Sequence, residues 1–427
     1  MGCRIYLHSL GCRLNESEVE TMARRFASAG HAIVTDPAEA DVCVVNTCAV
    51  TAEAARKSRH CVRALARANP AARLAVTGCY ATLAPERCAA LPGAAWVVPN
   101  AEKEGLVAAV LPAQPRPAEA EAGPPVRLRT RAFVKVQDGC DNHCTYCVVR
   151  LLRGPARSRP LADVVRQVQA LVEAGYQEAV LTGVNLGSYG RDLGLPDGLY
   201  TLVAALLART ALPRLRLSSL EPWDLNESAF GLWESPRMCR QLHLPLQSGC
   251  DEVLRRMARR GTPGDFAKLV AAARARIPGL ALTTDLIAGF PGETEAMFQQ
   301  SYRFVQDLAF ARLHVFPYSP RPGTAAARMP DQVAPQARAE RARALRQLGA
   351  QQARAFRQRF VGHTLPVLWE KSGAEGLWRG HTDNYLSVRT VCEADLFNRI
   401  TPTRLVEALG QELEGEIEKG GRDRDGS

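Results

Sequence analysis

Three short apolar runs open the chain, RIYLHS at 4–9, CVVN within 42–46 and LAVT at 74–77, and polar stretches of helical period separate them. This alternation predicts an α/β domain over 1–111 built on a doubly wound parallel sheet. A second alternation fills 133–318, where AFVKVQ, EAVLTG, RLRLSSLEP, QLHLPLQ, LALTTDLIAGF and RLHVFPYSP are spaced by helical patterns. Such βα units predict a parallel sheet curled into a partial TIM-type barrel, with functional side chains just after the strand ends. The Arg-rich stretch within 331–362 reads as a helix packed by its Ala and Leu face and solvated on the other. Strand-like runs return from TLPVLWE to RLVEALG, with turn signals at Ser372-Gly373 and Asp383-Asn384, and predict a small β module. The stretch PAQPRPAEAEAGPP has little to bury and reads as a linker. The expected layout is a first domain over 1–111, a linker over 112–128, a second domain over 129–360, a β module over 361–412 and a disordered tail over 413–427.

Length and composition change this picture in three ways. A chain of 427 residues exceeds what one core usually organises. No run of eighteen apolar residues occurs, and the first residues meet charge too early for a signal peptide, so a cytoplasmic protein with no membrane partner is expected. Thirteen cysteines in such a chain point to metal or cluster ligation, because the cytosol keeps thiols reduced. The net charge of +10 points to an anionic partner; of the 54 basic residues only six are Lys, and the planar Arg fork suits phosphate.

The sharpest chemistry lies at Cys140, Cys144 and Cys147, a C-x3-C-x2-C triplet. Three thiolates hold three irons of a cubane and leave the fourth open to an exogenous ligand, and an electron passed into a bound sulfonium releases a carbon radical. Tyr146 stands where an aromatic ring can shield the site or touch a cofactor. Zinc is the rival reading, but structural zinc takes four ligands, usually in C-x2-C pairs, and no second pair follows. Cys12, Cys48 and Cys79 each follow one of the first three strand-like runs, so the topology of a parallel sheet lets them converge along one edge. The other cysteines, Cys3, Cys43, Cys61, Cys88, Cys239, Cys250 and Cys392, lack partner spacing and read as small apolar residues. His243, His314 and His381 read as hydrogen-bonded structural residues.

GCDNHCTYC resembles the signature of the radical S-adenosylmethionine superfamily. SLGCRLNESEVE, VVNTCAVT and VTGCY resemble the N-terminal domain of the methylthiotransferases, in which Cys12, Cys48 and Cys79 would carry a second cluster. The module containing GHTDNYLSV resembles the small TRAM-type β-barrel that binds RNA in that family, so the resemblance runs from Cys12 to about Leu409. LTGVNLGSYG, RLSSLEP and HLPLQSG are most similar to the branch acting on N6-threonylcarbamoyladenosine of tRNA, beside the anticodon. The branches acting on isopentenyladenosine and on a ribosomal protein carry different residues there. Arg150 departs from the pattern, standing where the family commonly has proline, so the loop leaving the triplet is expected to be shaped differently. Arg153, Gly154, Ser158 and Arg159 keep the pattern.

The resemblance implies two [4Fe-4S] clusters, S-adenosyl-L-methionine, a tRNA anticodon loop as partner and an electron donor such as flavodoxin or ferredoxin. It further implies that Cys140, Cys144 and Cys147 generate the radical, that the cluster on Cys12, Cys48 and Cys79 delivers sulfur, and that a second S-adenosylmethionine supplies the methyl group. Position along the βα units makes Tyr146, Thr182, Gly183, Ser219, Glu221, Gly289 and Gly292 the expected cofactor contacts, the two last because a missing side chain lets backbone approach the adenine. The alternatives are the same chemistry on isopentenyladenosine tRNA or a ribosomal protein, and a non-enzymatic RNA-binding protein holding zinc.

Overall fold

The computed structural model describes residues 2–111 and 130–418; the expected linker at 112–128 and the last nine residues of the tail lie outside them. Strands β1 (Arg4–Ser9), β2 (Ala32–Val34), β3 (Val42–Thr47), β4 (Arg73–Gly78) and β5 (Ala94–Val98) form one parallel sheet in the order β2-β1-β3-β4-β5. All of β3 is buried, because helices cover both faces. Val42 and Val44 pack with Ile5 and Phe26 on one side, while Cys43 and Val45 pack with Leu74 and Val76 on the other. Cys43 is thus a core residue. The helices are α1 (Arg13–Ser28), α2 (Ala52–Ala68), α3 (Cys79–Leu83), α4 (Pro85–Ala89) and α5 (Leu106–Val110).

In the second domain β6 (Arg131–Lys135) is followed by a two-stranded hairpin, β7 (Gln137–Asp138) and β8 (Arg157–Ser158), which brackets the triplet loop and the short helix α6 (Val149–Arg153). Then α7 (Leu161–Glu173), β9 (Glu178–Thr182), α8 (Gly198–Arg209), β10 (Arg214–Leu217), β11 (Gln241–His243), α9 (Asp251–Arg256), α10 (Pro263–Arg276), β12 (Ala281–Ala288), α11 (Glu295–Leu308), β13 (Arg312–Pro317) and α12 (Pro335–Gln358) follow. The parallel sheets β6-β9-β10 and β11-β12-β13 are joined by single bridges at Leu215–Met238 and Ser219–His243, giving an open six-stranded barrel. Outward strand residues such as Val134, Leu181, Leu217 and Leu282 share one core with α7, α8, α10, α11 and α12. On α12 the buried face is Ala342, Leu345 and Leu348, and Arg341 pairs with Glu293 at 2.9 Å, so the Arg-rich helix is a packed wall of the barrel. The edge of β6 is covered by α1: Ser17 Oγ donates to the Phe133 carbonyl (2.8 Å) and accepts from the Lys135 amide (3.1 Å).

The C-terminal strands β14 (Thr364–Ser372), β15 (Leu377–Thr382), β16 (Ser387–Val391), β17 (Ile400–Leu409) and β18 (Glu412–Ile417) close into a barrel in the order β14-β15-β16-β18-β17 around Val367, Trp369, Leu405 and Leu413. This corrects the expected tail, which was placed from 413. In ELEGEI the buried Leu413 and Gly415 alternate with glutamates, a half-buried strand that its acidic composition hides. The turn expected at Asp383-Asn384 is present, with Tyr385 at φ +68°. Its side chains point into the second domain: Asp383 takes Arg240 (2.9 Å), Asn384 Nδ2 donates to Gly279 O (3.1 Å), and Tyr385 Oη accepts from Arg131 (2.7 Å). The β module is therefore docked at the amino-terminal ends of the barrel strands, leaving the carboxyl ends to the triplet.

Candidate iron-sulfur and cofactor centre

The triplet loop is pinned at both ends. Cys140 N donates to Gly154 O (3.1 Å), while Thr145 N donates to Met257 O (3.0 Å) and Thr145 Oγ1 to Arg256 O (2.9 Å), anchoring the loop on α9. Burial pushes the Cys147 thiol up to about 12, and the neighbouring sulfurs of Cys144 and Cys140 push the same way. A cationic iron site would favour the thiolate that burial opposes at Cys147. Arg150 is exposed in the first turn of α6, where its N–H has no helical partner, so proline or arginine fits that position without reshaping the loop.

The other expected contacts gather near the triplet in different ways. Tyr146 packs with Leu254, Met257 and Phe290, and burial holds its phenol well above the ordinary range. Thr182 is buried at the end of β9 and its carbonyl accepts from Val136 N (3.0 Å). A Cβ on Gly183 would lie 2.8 Å from Gln137 Oε1. Ser219 bridges to His243 across the sheet junction. Glu221 pairs with Arg259 at 2.7 Å; burial raises its carboxyl above the usual range and Arg259 counters this. Arg259 Nη1 also lies 4.0 Å from Cys144 Sγ, and its guanidinium stacks 4.4 Å from the Trp223 ring. Gly289 and Gly292 have φ +73° and +80°, the left-handed region that favours glycine, and an added Cβ would lie 2.2 Å from Arg338 Cγ and from the Arg256 guanidinium, respectively.

Sequence reasoning missed the groups around this pocket. Asn142 Nδ2, Asn185 Oδ1, Ser218 Oγ and Arg259 Nε are buried without a hydrogen-bond partner among the described residues. Such groups are costly unless a polar ligand completes them. Asn142 and Asn185 also line a cavity of ≈ 290 Å³ with Asp141, Ser188, Arg191 and Arg260, beside Cys140 at the strand ends. That donor and acceptor set fits a zwitterionic nucleoside cofactor.

The second trio sits on the N-terminal sheet. Cys12 caps α1 just after β1, Cys48 follows β3 and Cys79 opens α3 directly after β4, and these three strands are neighbours in the sheet. A Cβ on Gly11 would come within 2.8 Å of Cys48 Sγ, so glycine there lets the Cys12 loop close over Cys48. Burial pushes the Cys48 thiol up to about 11, with Cys12 and Cys79 adding to it. Among the described residues no three His, Cys, Asp or Glu groups converge tightly enough for a single ion.

Between the trios lies a buried polar network that the sequence did not announce. Arg153 Nη1 meets Glu18 Oε1 and Asp138 Oδ1, each at 2.9 Å, and Arg153 Nη2 donates to Asn15 Oδ1 at 2.7 Å. Lys103 Nζ donates to Glu18 Oε2 at 2.7 Å, and Asn100 Nδ2 reaches Cys79 Sγ at 3.6 Å. The one available signal was on α1, where Asn15 and Glu18 follow Cys12 at three-residue steps and so share a face. Two of these histidines make hydrogen bonds: His243 Nδ1 is 2.9 Å from Thr283 Oγ1, and His381 Nδ1 is 3.3 Å from Glu370 Oε1; the His314 ring packs edge-on to His243. Burial first, and then His243, lower His314 to about 4.

Two family models match the chain: "Uncharacterized protein family UPF0004" over 4–98 and "Radical SAM superfamily" over 134–305. The threonylcarbamoyladenosine tRNA methylthiotransferase MtaB of Bacillus subtilis is 36% identical over 424 residues, covering 95% of this chain and 94% of the relative. The ribosomal protein uS12 methylthiotransferase RimO of Anaeromyxobacter sp. is 37% identical over 399 residues, 88% of this chain and 83% of the relative. The tRNA-2-methylthio-N(6)-dimethylallyladenosine synthase of Novosphingobium aromaticivorans is 35% identical over 426 residues, 96% of each. Among solved structures, the radical S-adenosylmethionine methyltransferase TsrM of Kitasatospora setae shares the fold, with a TM-score of 0.57 at 15% identity over 77% of this chain and 74% of that one. Among the described residues no helix is long and apolar enough to cross a membrane. With such relatives aligned along nearly its whole length, the chain belongs to the radical S-adenosylmethionine methylthiotransferase family.

Proposed function

We propose that this enzyme adds a methylthio group to N6-threonylcarbamoyladenosine beside the anticodon of tRNA, in the cytoplasm. The observation that carries the reading is the pairing of a C-x3-C-x2-C loop at the carboxyl end of an open βα barrel with a second trio, Cys12, Cys48 and Cys79, across the buried Arg153 network. Full-length relatives named MtaB support this substrate over the two sister substrates.

In this account Cys140, Cys144 and Cys147 hold a [4Fe-4S] cluster by three irons, and Cys12, Cys48 and Cys79 hold a second one. When bound, the first cluster with S-adenosylmethionine supplies a carbon radical for C–H activation, and the second supplies sulfur. Arg259 and Glu221 form a fixed dipole beside Cys144 that orients the charged end of the cofactor. Asn142, Asn185 and Ser218 offer it the hydrogen-bond partners they lack. Tyr146 and its apolar neighbours keep water from the reacting centre. The domains follow the proposed division, with the RNA-binding role on the C-terminal barrel, and a flavodoxin- or ferredoxin-class protein delivers the electron.

The test is turnover by the anaerobically reconstituted enzyme on anticodon stem-loops. A methylthio product is expected with threonylcarbamoyladenosine, and about eight irons per chain. Cys140→Ala should abolish 5′-deoxyadenosine formation, whereas Cys48→Ala should keep it and lose the methylthio product. Turnover on isopentenyladenosine or uS12 peptide alone would move the chain to a sister branch, and cofactor cleavage by Cys140→Ala would overturn the assignment.

A further inference from the structure

A heavily charged buried region lies at the seam between the first and second domains. Side chains of Glu18 and Arg153 are only 5% and 3% exposed, yet two carboxylates, Glu18 and Asp138, meet three cations, Lys103, Lys135 and Arg153. Buried ions are expensive, and apolar packing would hold two domains together at lower cost. The network retains one excess positive charge, and its members touch the surroundings of both cysteine trios.

Arg153 is the hinge of this arrangement. Its backbone precedes Gly154, whose carbonyl accepts from Cys140 N. Its guanidinium crosses the seam to Asn15 Oδ1, which lies 3.7 Å from Cys12 Sγ. Burial disfavours the charge, but Glu18, Asp138 and Cys79 together hold it.

We propose that Arg153 is a positioning residue that ties the auxiliary cysteine trio to the radical-generating loop and lays a fixed positive charge beside Cys12, Cys48 and Cys79. A cubane held by three thiolates is anionic and gains a further negative charge on reduction. A buried guanidinium beside it favours the reduced form and raises its potential, as an N–H to sulfur contact such as Asn100 to Cys79 also does. Because its chain neighbour Gly154 seats Cys140 while its guanidinium reaches Asn15, Arg153 links the surroundings of the two centres.

The inference rests on the two-cluster reading, and its test separates the two. In the full chain with Cys140, Cys144 and Cys147 all changed to Ala, reconstituted anaerobically, only the auxiliary cluster can form. Its midpoint, followed by electron paramagnetic resonance during a redox titration, should move to more negative potential in Arg153→Met and by a smaller step in Arg153→Lys. In the otherwise wild-type enzyme, Arg153→Met should lower the ratio of methylthio product to 5′-deoxyadenosine by about tenfold or more. If Arg153→Met fails to fold, Arg153→Gln, which also removes the charge, takes its place. Iron retained with an unmoved midpoint in both variants overturns the role of Arg153 alone. No iron in the triple Ala chain overturns the two-cluster reading, and the inference with it.

Discussion

Glu221 and Arg259 show how the site is wired at the scale of single residues. Glu221 ends the segment after β10, and Arg259 is nearly buried between it, Trp223 and Cys144. Arg259→Met leaves Glu221 buried and unpaired, which should cost about 3–5 kcal/mol. It should also weaken S-adenosylmethionine binding, read by calorimetry and thermal melting; an unchanged melting temperature would show that the pair is solvated. Which residues could be read from sequence follows the same logic. The triplet was legible from its spacing and the N-terminal trio because each of its thiols follows a strand, both local patterns. Glu18 and Arg153, 135 positions apart, meet only through the fold; the steps from Cys12 to Asn15 and Glu18 mark a shared helix face but not the partner across the seam. At Gly289 and Gly292 the sequence marked the glycines but not the arginines beside them, Arg338 of α12 and Arg256 of α9.

Among elements, the lower rim of the barrel is governed by Glu178 at the start of β9. Burial alone would raise its carboxyl, but Arg216, Arg131 and Arg214 bring it from the ordinary 4.5 to about 2. A folded-state value below the unfolded one stabilises the protein above about pH 4.5, and this contribution, a few kcal/mol in order of magnitude, is lost as pH falls toward 2. Denaturation followed from pH 6 to pH 3 should therefore steepen below pH 4.5, and Glu178→Gln should be less stable at pH 6 with a flatter profile. Equal slopes in the two proteins would contradict this. Arg216 also donates to the Asp383 carbonyl (2.9 Å), so the same rim holds the β module. That module needs β18: a chain ending at Gly410 removes Leu413 and exposes the barrel interior, and limited proteolysis should then digest 364–409 while sparing the βα barrel. Survival of the module would contradict the closed barrel. Strand alternation with helices was plain in the sequence, whereas β18 was hidden by its glutamates and the edge strand β2 by its three-residue length.

For the whole molecule, the proposed function asks a tRNA to reach from the docked β module to the triplet. The net charge of +10 predicts salt-sensitive binding: raising salt from 50 to 200 mM should weaken tRNA affinity by roughly tenfold or more in a filter-binding assay. Affinity unaffected by salt would point to a substrate recognised without its phosphates. The turn carrying Asp383, Asn384 and Tyr385 faces Arg240, Gly279 and Arg131, so the RNA surface must be sought elsewhere on the barrel; no sequence pattern could reveal that docking direction. The central claim is the modification itself. Mass spectrometry of nucleosides from cellular tRNA, with and without the gene, tests it most directly. The account predicts that 2-methylthio-N6-threonylcarbamoyladenosine disappears on deletion, that its unmethylthiolated precursor accumulates, and that Cys140→Ala fails to restore it. An unchanged level of the methylthiolated nucleoside in the deletion strain would contradict it.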